Sequence, residues 1–537
     1  MSDLQRLTGG EAVVKTLKGL GLRTVFGLPG VQNDWLFNAF YDHRDDFRII
    51  HTRHEQGAAY MALGAALATG ARSLYSVVPG PGFLNSTAAL ATAEALNAPV
   101  LCLTGQIPTG SIGRGLGVLH EIRDQAGILA SLTKWSARAG SPAEVPLLLK
   151  EAWQQMVSGR PGPVGLEVPM DVLERRALTD LAAEPGTPFR PPVDEDAVTA
   201  AAQMLAGARN PMIFTGSGAQ GVSAEVTRLA EMLQAPVVGY RTGMGVLDAR
   251  NPLSLHQPAA QPYWGKADVV LAIGTNMRVP RQKWAKTHRP KLIRIDVDAA
   301  SHGLFGAPDL AITAFAEDVL GLLEDRLGRL TSRRDDRSDE MLGLRADWQA
   351  RVAVLEPQLS YLRVIREELG EDGILVDELT QVGFASRIAY PVYKPRSFIS
   401  TGYQGTLGYG FQTALGVKVA RPDVPVISVT GDGGFMFGVQ ELASAVQHRI
   451  PLITLVFNNN QFGNVQQMQR NNYGGRVIAT DLYNPDFIRM AESFGAQALR
   501  ADSLDALRAA IRAGLKVDVP TLIEVPVGDM PSVDQFR

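Results

Sequence analysis

The sequence has 537 residues, with 52 Lys and Arg against 55 Asp and Glu, so its formal net charge is −3. This balance leaves no positive excess for neutralising phosphates and argues against a nucleic-acid-binding protein. The single cysteine, Cys102, excludes an internal disulfide framework and a cysteine-based zinc site, and its apolar neighbours indicate a buried structural thiol. The polar N-terminus lacks the apolar core of a signal peptide, and no apolar run reaches roughly 18 residues, so we expect a cytoplasmic protein that does not enter a membrane.

Short apolar runs alternate with longer helix-like segments along the whole chain. Apolar runs of this length, bounded by Gly and Pro, are typical of buried parallel strands, and the segments between them are long enough for crossover helices. The sequence therefore predicts an α/β fold with three doubly wound parallel-sheet domains. The predicted strands comprise residues 24–27, 73–78, 100–104, 212–215, 269–273, 292–297, 426–430 and 452–457.

Two segments are predicted linkers. Residues 181–193 contain four prolines, and residues 331–340 form a dense run of charged side chains, which we interpret as solvated surface. These linkers divide the chain into predicted domains of residues 1–182, 190–330 and 345–537. The two outer domains share a strand–helix rhythm, and we expect them to be structural relatives.

The first candidate site in chain order lies in the N-terminal domain. A predicted strand runs into a tight turn at Pro29 and Gly30, and Glu55 stands at the start of an alanine-rich helical segment. A Glu in the first turn of a helix interacts favourably with the helix dipole, which is an ordinary structural role. A carboxylate in an apolar pocket instead has a raised pKa and can take part in proton transfer. Taken alone, the sequence around Glu55 favours the structural role.

The middle domain contains Gly216, Gly218 and Gly221 in a G-x-G-x-x-G spacing directly after a predicted strand. This spacing is the nominal fingerprint of a dinucleotide-binding fold, which also requires an acidic residue at the end of the next strand. The next predicted strand, 237–240, is followed by Arg241 instead. We therefore interpret the middle domain as a vestigial nucleotide-binding fold.

The C-terminal domain carries the most specific pattern. A predicted strand at 425–430 runs into a Gly-Asp-Gly-Gly turn that contains Asp432, and a second strand at 452–457 runs into three asparagines that include Asn459. One crossover helix joins the two strands, so Asp432 and Asn459 lie together at the edge where open α/β sheets bind ligands. Carboxylate and amide oxygens suit a Mg²⁺ ion that bridges a diphosphate, and the N–H groups of the turn suit phosphate oxygens.

A glycine-rich segment, residues 400–411, precedes this pair of strands. Its glycines at 405, 408 and 410 allow the backbone to pass close to a ligand. A glycine-rich turn that simply leads into a helix is the alternative interpretation.

Gly-Asp-Gly followed by Asn-Asn at this spacing resembles the signature of thiamine-diphosphate-dependent enzymes, and the resemblance covers essentially the whole chain. It implies a pyrimidine-binding N-terminal domain, a central Rossmann-like domain and a diphosphate-binding C-terminal domain. It also implies that Asp432, Asn459 and the backbone oxygen of Gln461 bind Mg²⁺. The further cofactor contacts implied by the resemblance are Pro29, Gly30, Gly431, Gly433, Gly434, Phe462 and Gly463.

The same resemblance implies three roles at the pyrimidine ring of the cofactor. Glu55 would hydrogen-bond the ring and drive the tautomer that deprotonates the thiazolium carbon. The carbonyl oxygen of Gly405 would accept from the amino group of the ring, and Leu407 would hold the cofactor in its bent form. In this family the glutamate lies across a subunit interface from the diphosphate site, so a homodimer or a homotetramer is implied.

Within the family, the chain is similar to the acetolactate synthase and benzaldehyde lyase branch, with departures in the substrate pocket. Met468 stands where acetolactate synthases have a Trp that selects the acceptor, and Asn464 adds a polar group to the same wall. His120 stands where those enzymes have a Gln near the reacting carbon; a lone histidine usually has a structural role, but at this position an imidazole can also relay protons at neutral pH. The segment 276–281 lacks the Arg-Phe-Asp-Asp-Arg stretch of FAD-binding relatives, so we do not expect FAD.

These features imply a thiamine-diphosphate- and Mg²⁺-dependent enzyme acting on small 2-oxo acids, aldehydes or 2-hydroxyketones. The balance between carboligase, lyase and decarboxylase activity stays open. One alternative is a flavin-linked 2-oxo-acid oxidase of the same family, which the middle domain disfavours. The other is a non-catalytic nucleotide-binding homologue, which the presence of Glu55, Asp432 and Asn459 disfavours.

Overall fold

The computed structural model describes residues 4–182, 184–332 and 334–536. Its N-terminal domain alternates strands and helices along the chain. The strands are β1 (Leu4–Thr8), β2 (Thr24–Gly27), β3 (Arg48–His51), β4 (Ser73–Val77), β5 (Val100–Gln106), β6 (Trp135–Arg138), β7 (Val164–Pro169) and β8 (Arg176–Asp180). The helices are α1 (Gly9–Gly19), α2 (Asp34–Asp42), α3 (Glu55–Thr69), α4 (Pro81–Ala95), α5 (Gln125–Leu132), α6 (Val145–Gln155) and α7 (Met170–Glu174).

The central domain follows the proline-rich linker. Its strands are β9 (Pro211–Thr215), β10 (Val237–Gly239), β11 (Ser254–His256), β12 (Val269–Ile273), β13 (Lys291–Asp296) and β14 (Leu310–Thr313). Its helices are α8 (Glu195–Gly207), α9 (Ser223–Leu233), α10 (Gln261–Trp264), α11 (Arg278–Gln282) and α12 (Ala316–Leu330).

The C-terminal domain completes the chain. Its strands are β15 (Ile374–Val376), β16 (Phe398–Ile399), β17 (Val426–Gly431), β18 (Ile453–Asn458), β19 (Gln497–Arg500) and β20 (Thr521–Pro526). Its helices are α13 (Ser338–Val352), α14 (Gln358–Leu369), α15 (Gln381–Ala389), α16 (Tyr409–Ala420), α17 (Asp432–Phe435), α18 (Glu441–Gln447), α19 (Gly463–Asn472), α20 (Phe487–Phe494) and α21 (Leu504–Gly514).

Each domain contains one parallel six-stranded sheet, which confirms the predicted α/β class. The N-terminal sheet has the order β3-β2-β4-β5-β7-β6 and the C-terminal sheet has the order β16-β15-β17-β18-β20-β19, so the two outer domains share one topology. The central sheet has the order β11-β10-β9-β12-β13-β14, which is the strand order of dinucleotide-binding folds. In addition, β1 and β8 form a separate antiparallel pair.

Two helices join the outer domains. Helix α3 packs along α16, and a single core cluster contains buried side chains of both domains. The approach is close because each helix places a glycine against the backbone of the other. A Cβ on Gly64 would overlap the carbonyl oxygen of Thr413, and a Cβ on Gly416 would overlap the carbonyl oxygen of Met61. Protein interiors of this density respond to one added methyl group, so the pairing depends on both glycines.

Three local expectations have clear outcomes. Cys102 is fully buried, and burial raises the pKa of its thiol to about 12, so the interpretation as an inert structural thiol is confirmed. Residue 333 lies outside the described residues, and for the rest of 331–340 the interpretation as solvated surface is wrong in part. Arg337 donates to the hydroxyl of Tyr263 at 2.6 Å and Arg334 donates to the carbonyl of Leu205 at 2.7 Å, which ties this charged run to the central domain.

The crossover helix, which the sequence predicts over residues 438–449, is shorter in the structure, where α18 spans Glu441–Gln447. Residues 438–440 form a turn, and α18 begins at Glu441. Among the described residues, no helix is long and apolar enough to cross a membrane.

Candidate cofactor site

One edge of the C-terminal sheet collects most of the predicted site residues. Strand β17 lies between β15 and β18, with Ser428 beside Val376 and Gly431 beside Phe457. The carboxyl ends of these three strands therefore lie at one edge. The chain leaves β15 toward one side of the sheet and continues from β17 toward the other, which makes this edge the topological switch point where α/β sheets bind ligands.

Asp432 follows β17 at this edge and is buried. Burial raises the pKa of its carboxyl above the usual value, while hydrogen bonds from the Asn484 amide and from the N–H groups of Gly433 and Asn460 act in the opposite direction. These donors are all neutral. A buried carboxylate that accepts only from neutral donors has no positive charge beside it, and this favours the binding of a cation.

Asn484 is the residue that the sequence analysis missed. Its Nδ2 donates to Asp432 Oδ2 at 2.7 Å, to Asn458 Oδ1 at 3.0 Å and to Asn460 Oδ1 at 3.2 Å. One amide therefore gathers three side-chain oxygens around Asp432. Nothing in the sequence near the Gly-Asp-Gly turn points to Asn484, because it lies in a connection 52 residues further along the chain.

The remaining predicted metal and cofactor residues follow β18. A Cβ on Gly433 would approach the ring of Phe462 to 2.5 Å, and a Cβ on Gly463 would approach Asn459 Nδ2 to 2.8 Å, so the two turns are in contact. The Gln461 side chain donates to Asp529 Oδ1 at 2.7 Å, which ties the turn to the C-terminal segment. Among the described residues, no three His, Cys, Asp or Glu side chains are grouped for a metal ion. An ion beside Asp432 would therefore be held largely by amide and backbone oxygens.

A second buried carboxylate, Glu378, lies directly after β15. It accepts from the N–H groups of Gly408 at 2.6 Å and Gly410 at 3.2 Å, and from the Thr430 hydroxyl at 2.6 Å. Burial raises the pKa of Glu378 to about 7, against the lowering effect of these three donors. Glu378 thus fixes the start of α16, and with it the segment that carries Gly405 and Leu407, to the strand that ends beside Asp432.

The predicted substrate residues of this domain lie on α19. Asn464 and Met468 are one helical turn apart, and the Met468 side chain is exposed. The amide of Gln381 donates to Gln467 at 3.4 Å, so the start of α15 reaches the same helix. This wall therefore combines amide groups with a flexible thioether and has no aromatic ring at position 468.

The N-terminal sheet has a matching edge. A Cβ on Gly30 would approach Val78 to 2.6 Å, and a Cβ on Gly82 would approach the same valine to 2.6 Å and Glu55 Oε1 to 3.3 Å. Pro29 and Gly30 follow β2 and Glu55 follows the neighbouring parallel strand β3, so all three lie at the carboxyl edge of the N-terminal sheet. Glu55 begins α3 and is partly exposed, and its Oε2 accepts from the Asn85 amide at 3.0 Å. The water-poor pocket expected around Glu55 is incomplete within one chain.

His120 lies near the same edge of the N-terminal sheet and is hydrogen-bonded to Gln32. Its Nδ1 is 2.8 Å from Gln32 Oε1, and Gln32 in turn donates to the carbonyl of Leu119 at 3.0 Å. The backbone of His120 has a φ of 67°, in the left-handed region, and its carbonyl oxygen contacts Gly80. A non-glycine residue held in this conformation by a buried neighbour is often found at functional sites.

Among the described residues, no hydrogen bond or ion pair joins Glu55 to Asp432. The contacts of Glu55 are to Asn85 and to the region of Gly82 in the N-terminal domain, whereas those of Asp432 are to Asn484 and neighbouring residues of the C-terminal domain.

The central domain presents a cavity of about 810 Å³ at the carboxyl ends of its strands. Its wall includes residues of all three domains and four arginines, which are Arg160, Arg241, Arg278 and Arg396. The fingerprint glycines serve packing, because a Cβ on Gly216 or Gly218 would overlap the backbone of Gly274. Strand β9 also leads into a short 3₁₀ turn, and α9 begins only at Ser223, so the helix N-terminus of a typical dinucleotide fingerprint is displaced.

Comparisons with known proteins agree with this geometry. The family described as the N-terminal TPP binding domain of thiamine pyrophosphate enzymes matches residues 7–128. The central domain of the same enzymes matches residues 198–323, and their C-terminal TPP binding domain matches residues 380–525.

The relatives that match nearly the whole chain are named either as decarboxylases or as acetolactate synthases. A probable 2-ketoarginine decarboxylase of Pseudomonas aeruginosa is 34% identical over 98% of this chain and 95% of its own length. A probable acetolactate synthase large subunit of Methanocaldococcus jannaschii is 32% identical over 97% of this chain and 92% of its own length. The large subunit of acetolactate synthase isozyme 1 of Escherichia coli is 29% identical over 98% and 95%. The chain therefore belongs to the thiamine pyrophosphate enzyme family and is similar to its acetolactate synthase-like members.

Proposed function

We propose that this enzyme binds thiamine diphosphate through Mg²⁺ and makes or breaks the carbon–carbon bond next to the carbonyl of a 2-oxo acid. The observation that carries the proposal is Asp432, a buried carboxylate with neutral donors at the switch point of the C-terminal sheet. When bound, the cofactor supplies a thiazolium carbon that becomes a nucleophile toward a carbonyl. The protein then has to hold the diphosphate, activate that carbon and select the substrate.

The chemistry of the donor set fits Mg²⁺. Asp432 would supply a carboxylate oxygen, Asn459 an amide oxygen and Gln461 a backbone oxygen, which are the hard ligands that this ion prefers. The start of α19 at Gly463 lies at the same edge and can direct backbone N–H groups toward phosphate oxygens. Asn484 would orient Asp432 without being a ligand itself, because its amide donates to the carboxylate.

Replacing Asn484 by Ala should weaken Mg²⁺-dependent binding of thiamine diphosphate by about 10-fold to 100-fold, as is usual when an outer-shell partner of a metal ligand is lost. The measurement is a calorimetric titration of the cofactor at several Mg²⁺ concentrations. Asn38→Ala, which changes an exposed asparagine of α2, is the matched control and should bind like the unmodified protein. An unaltered Mg²⁺ dependence in Asn484→Ala would contradict the proposed arrangement.

We further propose that Glu55 is the acid–base residue for the pyrimidine ring of the cofactor. Glu55, Pro29 and Gly30 lie at one edge of the N-terminal sheet, which is the equivalent of the edge that carries Asp432 in the C-terminal sheet. Because the family resemblance puts the glutamate and the diphosphate site on different chains, the complete site would form between two chains, as a homodimer or a homotetramer. The partner chain would also cover the exposed side of Glu55 and exclude water from it.

Glu55→Gln should leave cofactor affinity nearly unchanged and slow activation of the thiazolium carbon by about 10²-fold to 10⁴-fold, the usual cost of removing an acid–base partner. Hydrogen–deuterium exchange at that carbon, followed by NMR after rapid quenching, measures this step directly. Glu151→Gln on α6 provides a control with the same chemical change away from the site. Normal exchange in Glu55→Gln would mean that Glu55 serves only the start of its helix.

For the substrate, we propose a 2-oxo acid or an acceptor that is larger or more polar than pyruvate. The wall formed by Asn464 and Met468 presents an amide and a flexible thioether, which discriminate weakly between acceptors that differ by a methylene group. His120, oriented by Gln32, would exchange protons with the reacting groups. A relative named for the decarboxylation of 2-ketoarginine is consistent with a polar substrate.

We also propose that the reaction does not need FAD, because the fingerprint glycines of the central domain pack against Gly274 and Arg241 replaces the expected acidic residue. Acetolactate formation from pyruvate should be slow and insensitive to added FAD, and purified protein should not absorb between roughly 350 and 500 nm as a flavoprotein does.

A panel of 2-oxo acids with apolar, polar and guanidinium side chains, and of aldehydes and 2-hydroxyketones, should reveal faster substrates. Met468→Trp should shift the preference back toward pyruvate. Fast, FAD-stimulated acetolactate formation with poor use of every other substrate would contradict this part of the proposal.

A further inference from the structure

The start of α3, which carries Glu55, is held by a carboxylate from the other end of the chain. Glu441 at the start of α18 accepts from the N–H of His54 at 3.0 Å and from the N–H of Arg53 at 3.1 Å. Its Oε2 also accepts from the Ser444 hydroxyl at 2.6 Å. Both backbone donors immediately precede Glu55.

The contact is buried and close. Glu441 is fully buried, and a Cβ on Gly57 would approach its Oε1 to 2.6 Å, so the carboxylate lies directly against the first turn of α3. The N–H groups at a helix start have no partner within the helix and need an acceptor from elsewhere. Here the acceptor is the Glu441 side chain of the C-terminal domain. The carboxylate occupies a position next to Glu55 that water would otherwise fill.

The start of α16 is also held by a buried carboxylate. Glu378 accepts from the N–H groups of Gly408 and Gly410 at the start of α16, the helix that packs against α3. Each of the two central helices therefore begins on a buried carboxylate, and each helix start adjoins residues to which the family resemblance gives a role at the pyrimidine ring, which are Glu55 at α3 and Gly405 and Leu407 at α16. The repetition argues that Glu441 fixes a functional helix start and does more than fill a gap between domains.

We infer that Glu441 is a positioning residue for Glu55. It fixes the backbone of Arg53 and His54, and thereby the position from which the Glu55 carboxyl would contact the cofactor. This inference rests on the proposed role of Glu55. Glu441 lies nine residues after Asp432, with only the short helix α17 and a turn between them. The segment that begins at Asp432 therefore also fixes the backbone next to Glu55. A misplacement of about 1 Å in a reacting group can cost on the order of 10²-fold in rate.

The first test uses protein without cofactor. Amide hydrogen–deuterium exchange, read by mass spectrometry, should show faster exchange at Arg53 and His54 in Glu441→Ala, with the middle of α3 still protected. Glu441→Gln should give an intermediate result, because the amide oxygen can accept from the His54 N–H and, at 3.2 Å, from the Arg53 N–H, whereas the NH₂ takes the place of the oxygen that accepts from Arg53 at 3.1 Å and from Ser444. Unchanged protection in Glu441→Ala would overturn the inference.

The second test is a double-mutant cycle read by exchange at the thiazolium carbon with saturating cofactor. Glu441→Ala should slow exchange by about 10-fold or more. The same change in a Glu55→Gln background should have an effect within about 2-fold, because two residues that act as one unit are not additive. An equal slowing in both backgrounds would reduce Glu441 to a general structural role and overturn the inference.

Controls separate this inference from the proposed function. Glu11→Ala removes a glutamate that holds the start of α1 in the same domain and should leave exchange at the thiazolium carbon unchanged. If Glu441→Ala does not fold, Glu441→Asp replaces it in both tests, since its shorter side chain withdraws the carboxylate from Arg53 and His54. Normal exchange in Glu55→Gln alone would contradict the role of Glu55, whereas slow exchange in Glu55→Gln with normal exchange in the Glu441 variants would contradict only the inference on Glu441.

Discussion

The close contact between α3 and α16 is the constraint on which the rest of the site depends. Gly64 and Gly416 let the two helices approach until each touches the backbone of the other, and the surrounding side chains form one core from two domains. Because both helices are held in this way, their starts are fixed relative to both sheets. The residues at those starts include Glu55 on one side and the segment with Gly405 and Leu407 on the other. The packing contact therefore fixes both helix starts within one chain, and under the proposed function each start would contribute to a site completed by a second chain.

Buried carboxylates then define the chemistry of these edges. Glu378 and Glu441 are satisfied by backbone N–H and hydroxyl donors, so their negative charge serves to hold the polypeptide in place. Asp432 differs, because Asn484 brings the side-chain oxygens of Asn458 and Asn460 next to its carboxylate. A cation and an anionic ligand bound together at this edge would balance the charge. Glu378 and Glu441 thus act on the polypeptide, whereas Asp432 is the carboxylate to which the proposed function assigns a metal ion.

The sequence predicted the parts of this arrangement that depend on local pattern. The α/β class, the long central strands and the common edge of Asp432 and Asn459 follow from apolar runs that end on polar turns. Short strands such as β16 and β19 were not predicted, since their pairing comes from neighbours and not from their own residues. Asn484 and Glu441 were missed for the same reason: an amide or a carboxylate far along the chain has no local signature, and only the tertiary fold brings it to Asp432 or to the start of α3.

The central claim is that Asp432 anchors thiamine diphosphate through a divalent cation. The most direct measurement is a calorimetric titration of Asp432→Ala and of the unmodified protein with thiamine diphosphate, in the presence of Mg²⁺ and after its removal by a chelator. The account predicts tight binding by the unmodified protein that disappears with the chelator, and no Mg²⁺-dependent binding by Asp432→Ala, because the diphosphate then has no bridging cation. Equal, Mg²⁺-independent affinity of both proteins would contradict it.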